Sequence, residues 1–149
     1  MTMAYRLHSS RYAAPSGQGA AINGGRWNPK GVPVIYAAAS PSLAALEVLV
    51  HYSVLPRDFV LTPISIPDSL LVAYVPENVL TEDWDSPVPT NATQEYGQRW
   101  AETMESLVLR VPSTVIRVEA NYVINVLHPE FPQLDFGPSE PFRFDPRLK

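Results

Sequence analysis

The sequence predicts an α+β fold: a mostly antiparallel β core with a few packed helices. Three observations lead there. Short β-rich runs outnumber helical segments, and the two do not alternate in the regular βαβ order of a parallel sheet. The chain of 149 residues also carries 16 prolines, roughly twice the usual share of about 5%, and they fall at the ends of runs, as many short strands require. The composition is 46% hydrophobic and 10% aromatic, enough burial to offset the ordering entropy that keeps proline-rich chains disordered. No internal repeat and no linker divides the sequence, so residues 1–149 read as one domain.

Along the chain, residues 13–31 (AAPSGQGAAINGGRWNPKG) hold Gly17, Gly19, Gly24, Gly25, Pro29 and Gly31. This reads as a long irregular stretch, and long loops inside compact domains are usually functional or disordered. The glycine spacing matches neither a dinucleotide fingerprint nor a P-loop. VPVIYAAA (32–39) reads as a strand with Val32, Val34 and Tyr36 on one face; Pro33 marks its start or an edge position. Ser40 is a natural N-cap and Pro41 a natural first helical residue for a helix over 41–53. That helix is apolar almost all round, which predicts burial. Its only acid, Glu47, shares a stripe with Leu43 and Val50.

FVLTPISI (59–66) and LLVAYV (70–75) read as strands split by a Pro-Asp turn, and TEDWDSPVPTNA (81–92) as a loop. Residues 92–106 have the pattern of an amphipathic helix, with Gly97 as its weak point. LVLRVP (107–112), STVIRVE (113–119) and NYVINV (121–126) are β-rich, and the terminal FRFDPRLK reads as a last strand.

The formal net charge is −4 and the pI about 5.3, which argues against a strongly basic nucleic-acid binder. Charged residues make up 17%, below the usual quarter; this fits either a compact domain or a surface reserved for a partner. No apolar run approaches the ~18 residues of a membrane span. The opening MTMAYRLHSS lacks the charged and apolar regions of a secretory signal, so the expected location is cytoplasmic. The chain has no cysteine, which excludes thiol nucleophiles and thiolate metal sites. His8, His51 and His128 lack ligand spacing, so no metal site is expected, and no G-x-S-x-G elbow is present.

Among individual residues, Glu47 is the sharpest. A carboxylate on a buried apolar stripe is either functional or held in a structural ion pair. Arg26 follows Gly24-Gly25, where backbone can approach a ligand closely, and its fork suits phosphate or carboxylate; beside Trp27 it could equally make a cation–π contact. Tyr36 is either core or a ring for stacking. Ser113 is an ordinary turn residue as well as a candidate, and Asn121 and Asn125 could cap or turn a strand.

Taken together and in order, these residues resemble the RES family. The matching stretches are YRLHSSRY with SGQGAAINGGRWN, then GGRWNPKGVPVIYAAASPSLAALEVLVHY, VPSTVIRVEANYVINVLHPEF and FRFDPRL, which cover the chain from about residue 5 to 148. The family is named for an arginine, a glutamate and a serine, which fall here at Arg26, Glu47 and Ser113, with Tyr36 at the family's active-site tyrosine. One departure is the sequence before Trp100, where the family commonly carries Gly-Asp and this chain has Gly97-Gln98-Arg99.

The resemblance implies an ADP-ribosyltransferase-like fold and a toxin of a bacterial type II toxin–antitoxin pair. It implies that NAD is cleaved as substrate, with no permanently bound cofactor. The acceptor would be water, phosphate or a protein such as phosphoribosyl pyrophosphate synthetase. It also implies a Xre-type helix-turn-helix antitoxin covering the site, with no membrane and no direct nucleic-acid contact. On this reading Arg26 and the Gly24-Gly25 N–H groups hold the pyrophosphate and Tyr36 stacks on nicotinamide or its ribose. Glu47 receives a ribose hydroxyl and stabilises positive charge, Ser113 supports it, and Asn121 and Asn125 stand behind. The competing reading is a catalytically silent module that binds a nucleotide or an antitoxin.

Overall fold

The computed structural model describes residues 1–149. Eight strands form one sheet: β1 (Thr2–Ser9), β2 (Val34–Ala38), β3 (Phe59–Ile66), β4 (Val72–Tyr74), β5 (Val108–Pro112), β6 (Ala120–Asn125), β7 (Asp135–Phe136) and β8 (Glu140–Phe142). Their order is β4-β5-β6-β2-β1-β3-β7, with β8 also on β3. Every pairing is antiparallel except β4 with β5. Three α-helices accompany the sheet: α1 (Gln18–Asn23), α2 (Pro41–Leu49) and α3 (Asn91–Glu102). The predicted α+β, mostly antiparallel architecture is the one observed.

β2 sits in the middle of the sheet and is covered on both faces, which is why it reads as a continuous apolar run. Ile35 and Ala37 point into a core with Ala4, Ile64, Ile66, Val108 and Ile124. Val34 and Tyr36 point the other way, with Trp27, Trp100, Leu109, Val111 and Val123. That second face lies under α3. α2 covers its neighbouring part through Leu43, Ala44 and Leu49, which pack on Leu7, Ala38 and Phe144. Fully burying a Leu, Ile or Val side chain contributes about 1.5–3 kcal/mol, so these clusters fix the sheet on which the site is mounted.

α2 begins as its sequence dictates: the Ser40 side chain accepts from the Leu43 N–H at 3.1 Å, and Pro41 opens the helix. It ends at Leu49, four residues short of the expected 53, and of its nine residues only Leu43, Ala44 and Leu49 are buried. Val50 is 57% exposed and Tyr52 42%, so the apolar composition beyond Leu49 belongs to a surface.

The other departures have local causes. LLVAYV is a strand only over Val72–Tyr74; the Pro67–Leu70 turn forms, and β4 lies at the far edge, paired in parallel with β5. Residues 113–119 form a turn and not a strand, because the Ser113 hydroxyl accepts from the N–H groups of Val115 and Ile116, each at 3.0 Å. Of the tail FRFDPRLK only Phe142 lies in a strand, as the end of β8, and Pro146–Leu148 form a short 3-10 turn. Gly97 lets α3 press against the Gly-rich segment: a Cβ there would stand 1.7 Å from the Trp27 carbonyl oxygen.

Candidate active site

Three elements converge on the Glu47 carboxylate, which projects from the last turn of half-buried α2. Ser113, at the end of β5 and fully buried, donates its hydroxyl to Glu47 Oε2 at 3.0 Å. Asn121, the second residue of β6, donates its amide to the same oxygen. Register explains the meeting: Asn121 lies opposite Val111 on β5 and Ala38 on β2, where β2 hands over to α2. Glu47 Oε1 makes no hydrogen bond, and the buried Oδ1 of Asn121 has no donor. The carboxylate is therefore gripped on one oxygen and free on the other.

Arg26 reaches the same region from the Gly-rich segment. Its two terminal nitrogens donate at 2.7 Å each to the carbonyls of Trp84 and Ser86. Burial lowers its pKa, and the negative charges of Glu47 and Asp85 act against that, as does Tyr36. The guanidinium is thus within electrostatic reach of both carboxylates and of Tyr36. The Trp27 ring does not lie under it; it packs on Trp84 and Tyr96, with centroids at 6.4 and 6.3 Å.

Tyr36 points from β2 into the turn that carries Arg26. Its hydroxyl donates to Asn28 Oδ1 at 2.6 Å and accepts from the Trp27 N–H at 3.0 Å. Burial pushes its pKa well up, so the phenol stays protonated. Asn28 is fully buried and donates its amide to the carbonyls of Ala20, Pro29 and Val32. Sequence reasoning missed Asn28; its signal was an asparagine beside Pro29 in a glycine-rich turn. It also missed Trp84, Asp85 and Ser86, which no pattern connects to Arg26 across about sixty residues.

The glycines play a different part from the one expected. The Gly24 N–H is taken by the Ala20 carbonyl at 2.8 Å and the Gly25 N–H by the Asn28 carbonyl at 2.9 Å, so neither is free to hold a phosphate. Gly24 has φ of 72°, and a Cβ on Gly25 would stand 2.7 Å from the Tyr36 hydroxyl. They exist to let the turn close over Tyr36. Asn125 is likewise separate from the cluster: it lies opposite Val34, four residues along β6 from Asn121, or about 13 Å at the usual strand rise. Its amide donates to the Ala101 carbonyl at 2.9 Å and its oxygen accepts from the Leu127 N–H, tying β6 to α3. His8, His51 and His128 do not meet, and no three His, Asp or Glu side chains converge as a metal site.

A helix-borne glutamate held by a serine and an asparagine from a sheet, with an arginine from a Gly-rich turn and a tyrosine from the central strand, defines an α+β protein with a carboxylate-centred polar site. The chain belongs to the RES domain family, whose profile matches residues 3–145. It is 42% identical over 153 residues to a protein named Toxin Res from Yersinia enterocolitica, covering 99% of each chain. It is 41% identical over 144 residues to Toxin Res from Photorhabdus laumondii, covering 89% of this chain and 92% of that one. A Sphingobium protein named Prs ADP-ribosylating toxin is 36% identical over 138 residues, 89% and 85% of the two chains. In fold it is similar to a chain of the M. tuberculosis MbcT-MbcA toxin–antitoxin complex, with TM-score 0.69 over 99% of this chain and 86% of that one, at 21% identity.

Proposed function

We propose that this protein is the toxin of a toxin–antitoxin pair and cleaves the nicotinamide–ribose bond of NAD. The observation that carries the reading is the Glu47 carboxylate, pinned through Oε2 by Ser113 and Asn121 and open at Oε1, with the Arg26 guanidinium in electrostatic reach. The names of the toxin relatives support it.

Nicotinamide in NAD is a positively charged leaving group, so the bond breaks with little acid assistance. Positive charge develops on the ribose, as in glycoside cleavage. A fixed carboxylate on that side stabilises the charge without reorganising at the moment of reaction. Glu47 Oε1 accepts a ribose hydroxyl, Arg26 pairs with the pyrophosphate, and the Tyr36 ring, locked by Asn28 and Trp27, stacks against the nicotinamide end. Ser113 holds Glu47 and is not the nucleophile, because its oxygen is occupied by the Val115 and Ile116 N–H groups. The ADP-ribosyl group passes to water, phosphate or a protein side chain, and a helix-turn-helix antitoxin covers the site. The protein works in the cytoplasm.

Incubation with NAD labelled in the adenylate part, with and without phosphate and cell extract, tests this. Free ADP-ribose marks hydrolysis, ADP-ribose 1″-phosphate marks phosphorolysis, and labelled protein bands mark transfer. Intact NAD under all conditions contradicts the proposal.

A further inference from the structure

Both terminal nitrogens of Arg26 are already occupied. They donate to the carbonyls of Trp84 and Ser86, two residues apart in the segment between the turn at Glu77–Val79 and α3. Two oxygens presented to the two arms of one guanidinium are what a phosphate also offers. The residue between them, Asp85, forms an ion pair with Arg117, which stands on the 113–119 turn that Ser113 opens. The Trp84 ring packs on Trp27. The segment is thus fastened at three points around the site. In the ion pair, Arg117 is 71% exposed and Asp85 15%, so solvent screens the latch from the arginine side.

We propose that Trp84–Ser86 is a strap that fills the Arg26 anion site in the free protein and gives way to the pyrophosphate of the substrate, with Asp85–Arg117 as its latch. The inference rests on the reading of Arg26 as the pyrophosphate ligand. Neutral carbonyls are weaker partners for a guanidinium than a charged phosphate, so the exchange favours the ligand. The closed latch still lowers apparent affinity, because only the open fraction binds. Breaking the latch removes that handicap.

The experiment titrates the full chain with ADP-ribose, which carries the pyrophosphate but no bond to nicotinamide, and follows indole fluorescence. Arg117→Gln and Arg117→Ala are each expected to bind about three- to tenfold more tightly than the unaltered protein. The fluorescence change on binding is expected to disappear in Trp84→Phe. If Arg26→Lys weakens binding but the latch variants bind equally or less tightly, the strap is overturned and the Arg26 reading stands. If Arg26→Lys leaves the affinity unchanged, or ADP-ribose does not bind at all, the reading of Arg26 falls and the strap with it. A fluorescence change that survives in Trp84→Phe also counts against the strap.

Discussion

The Ser113 hydroxyl donates to Glu47 Oε2 across 66 residues of chain, at 3.0 Å. The same oxygen atom of Ser113 accepts from the backbone of Val115 and Ile116. One side chain therefore shapes the 113–119 turn and orients the carboxylate, so the local fold and the site share a single anchor.

Ser113→Ala removes the acceptor for two backbone N–H groups and one of two donors to Glu47. The expected cost is about 1–2 kcal/mol of stability, as for a lost cap, and about a tenfold fall in NAD turnover. Urea unfolding and initial-rate measurements on the same preparation check both. Loss of stability with full turnover would show that Ser113 only builds the turn.

Gly97→Ala is expected to be among the most damaging single changes in α3. Alanine is the better helix former, so propensity alone predicts stabilisation. The Cβ would instead meet the Trp27 carbonyl oxygen at 1.7 Å, forcing α3 off the turn that carries Arg26. A loss of about 3 kcal/mol or more is predicted from such overpacking, against a small change for Gln98→Ala beside it. Denaturant midpoints for the two variants decide between propensity and packing.

The elements legible in the sequence were those whose local signals agreed with their tertiary surroundings. The Ser40-Pro41 start of α2 holds because the cap is local. β3 matches its expected span, Phe59–Ile66. β1 was not legible, because Arg6 and His8 interrupt its apolar pattern, yet both are buried in the finished sheet. α1 was hidden in the glycine-rich stretch, since it buries no residue and has no side-chain cap. Val115, Ile116 and Val118 suggested a strand where the Ser113 turn prevailed, and Val118 ends 93% exposed. At the site, the types Arg26, Tyr36, Glu47, Ser113 and Asn121 could be named from sequence. The carbonyls that hold Arg26 could not, because backbone groups carry no sequence signature.

His8 predicts how stability responds to acid. Its Nδ1 bonds the Ser9 carbonyl oxygen at 3.1 Å and its Nε2 meets Thr62 Oγ1 at 2.9 Å, which in turn meets Ser139 Oγ at 2.6 Å. This arrangement satisfies a neutral ring with the proton on Nδ1. Burial, and then the charge of Arg6, push its pKa down to about 4, against about 6.5 when unfolded. The unfolded chain therefore binds the extra proton first, and stability rises with pH across this window. The contribution is complete above pH ~6.5 and is lost as pH falls toward the folded value. Denaturant midpoints should fall from pH 7 to pH 5, and His8→Gln should flatten that slope. An equal slope in the variant would place the acid sensitivity elsewhere.

The central claim is that the Glu47 carboxylate acts on the ribose of NAD, and the release of nicotinamide by the purified chain and by Glu47→Gln tests it most directly. The substitution keeps the size and an acceptor oxygen but removes the charge. The account predicts at least a hundredfold slower release, the scale at which a fixed transition-state contact is lost, with ADP-ribose affinity within about threefold of the unaltered protein. Release within about tenfold, only ~1.4 kcal/mol of barrier, would contradict it, as would an unaltered protein that leaves NAD intact.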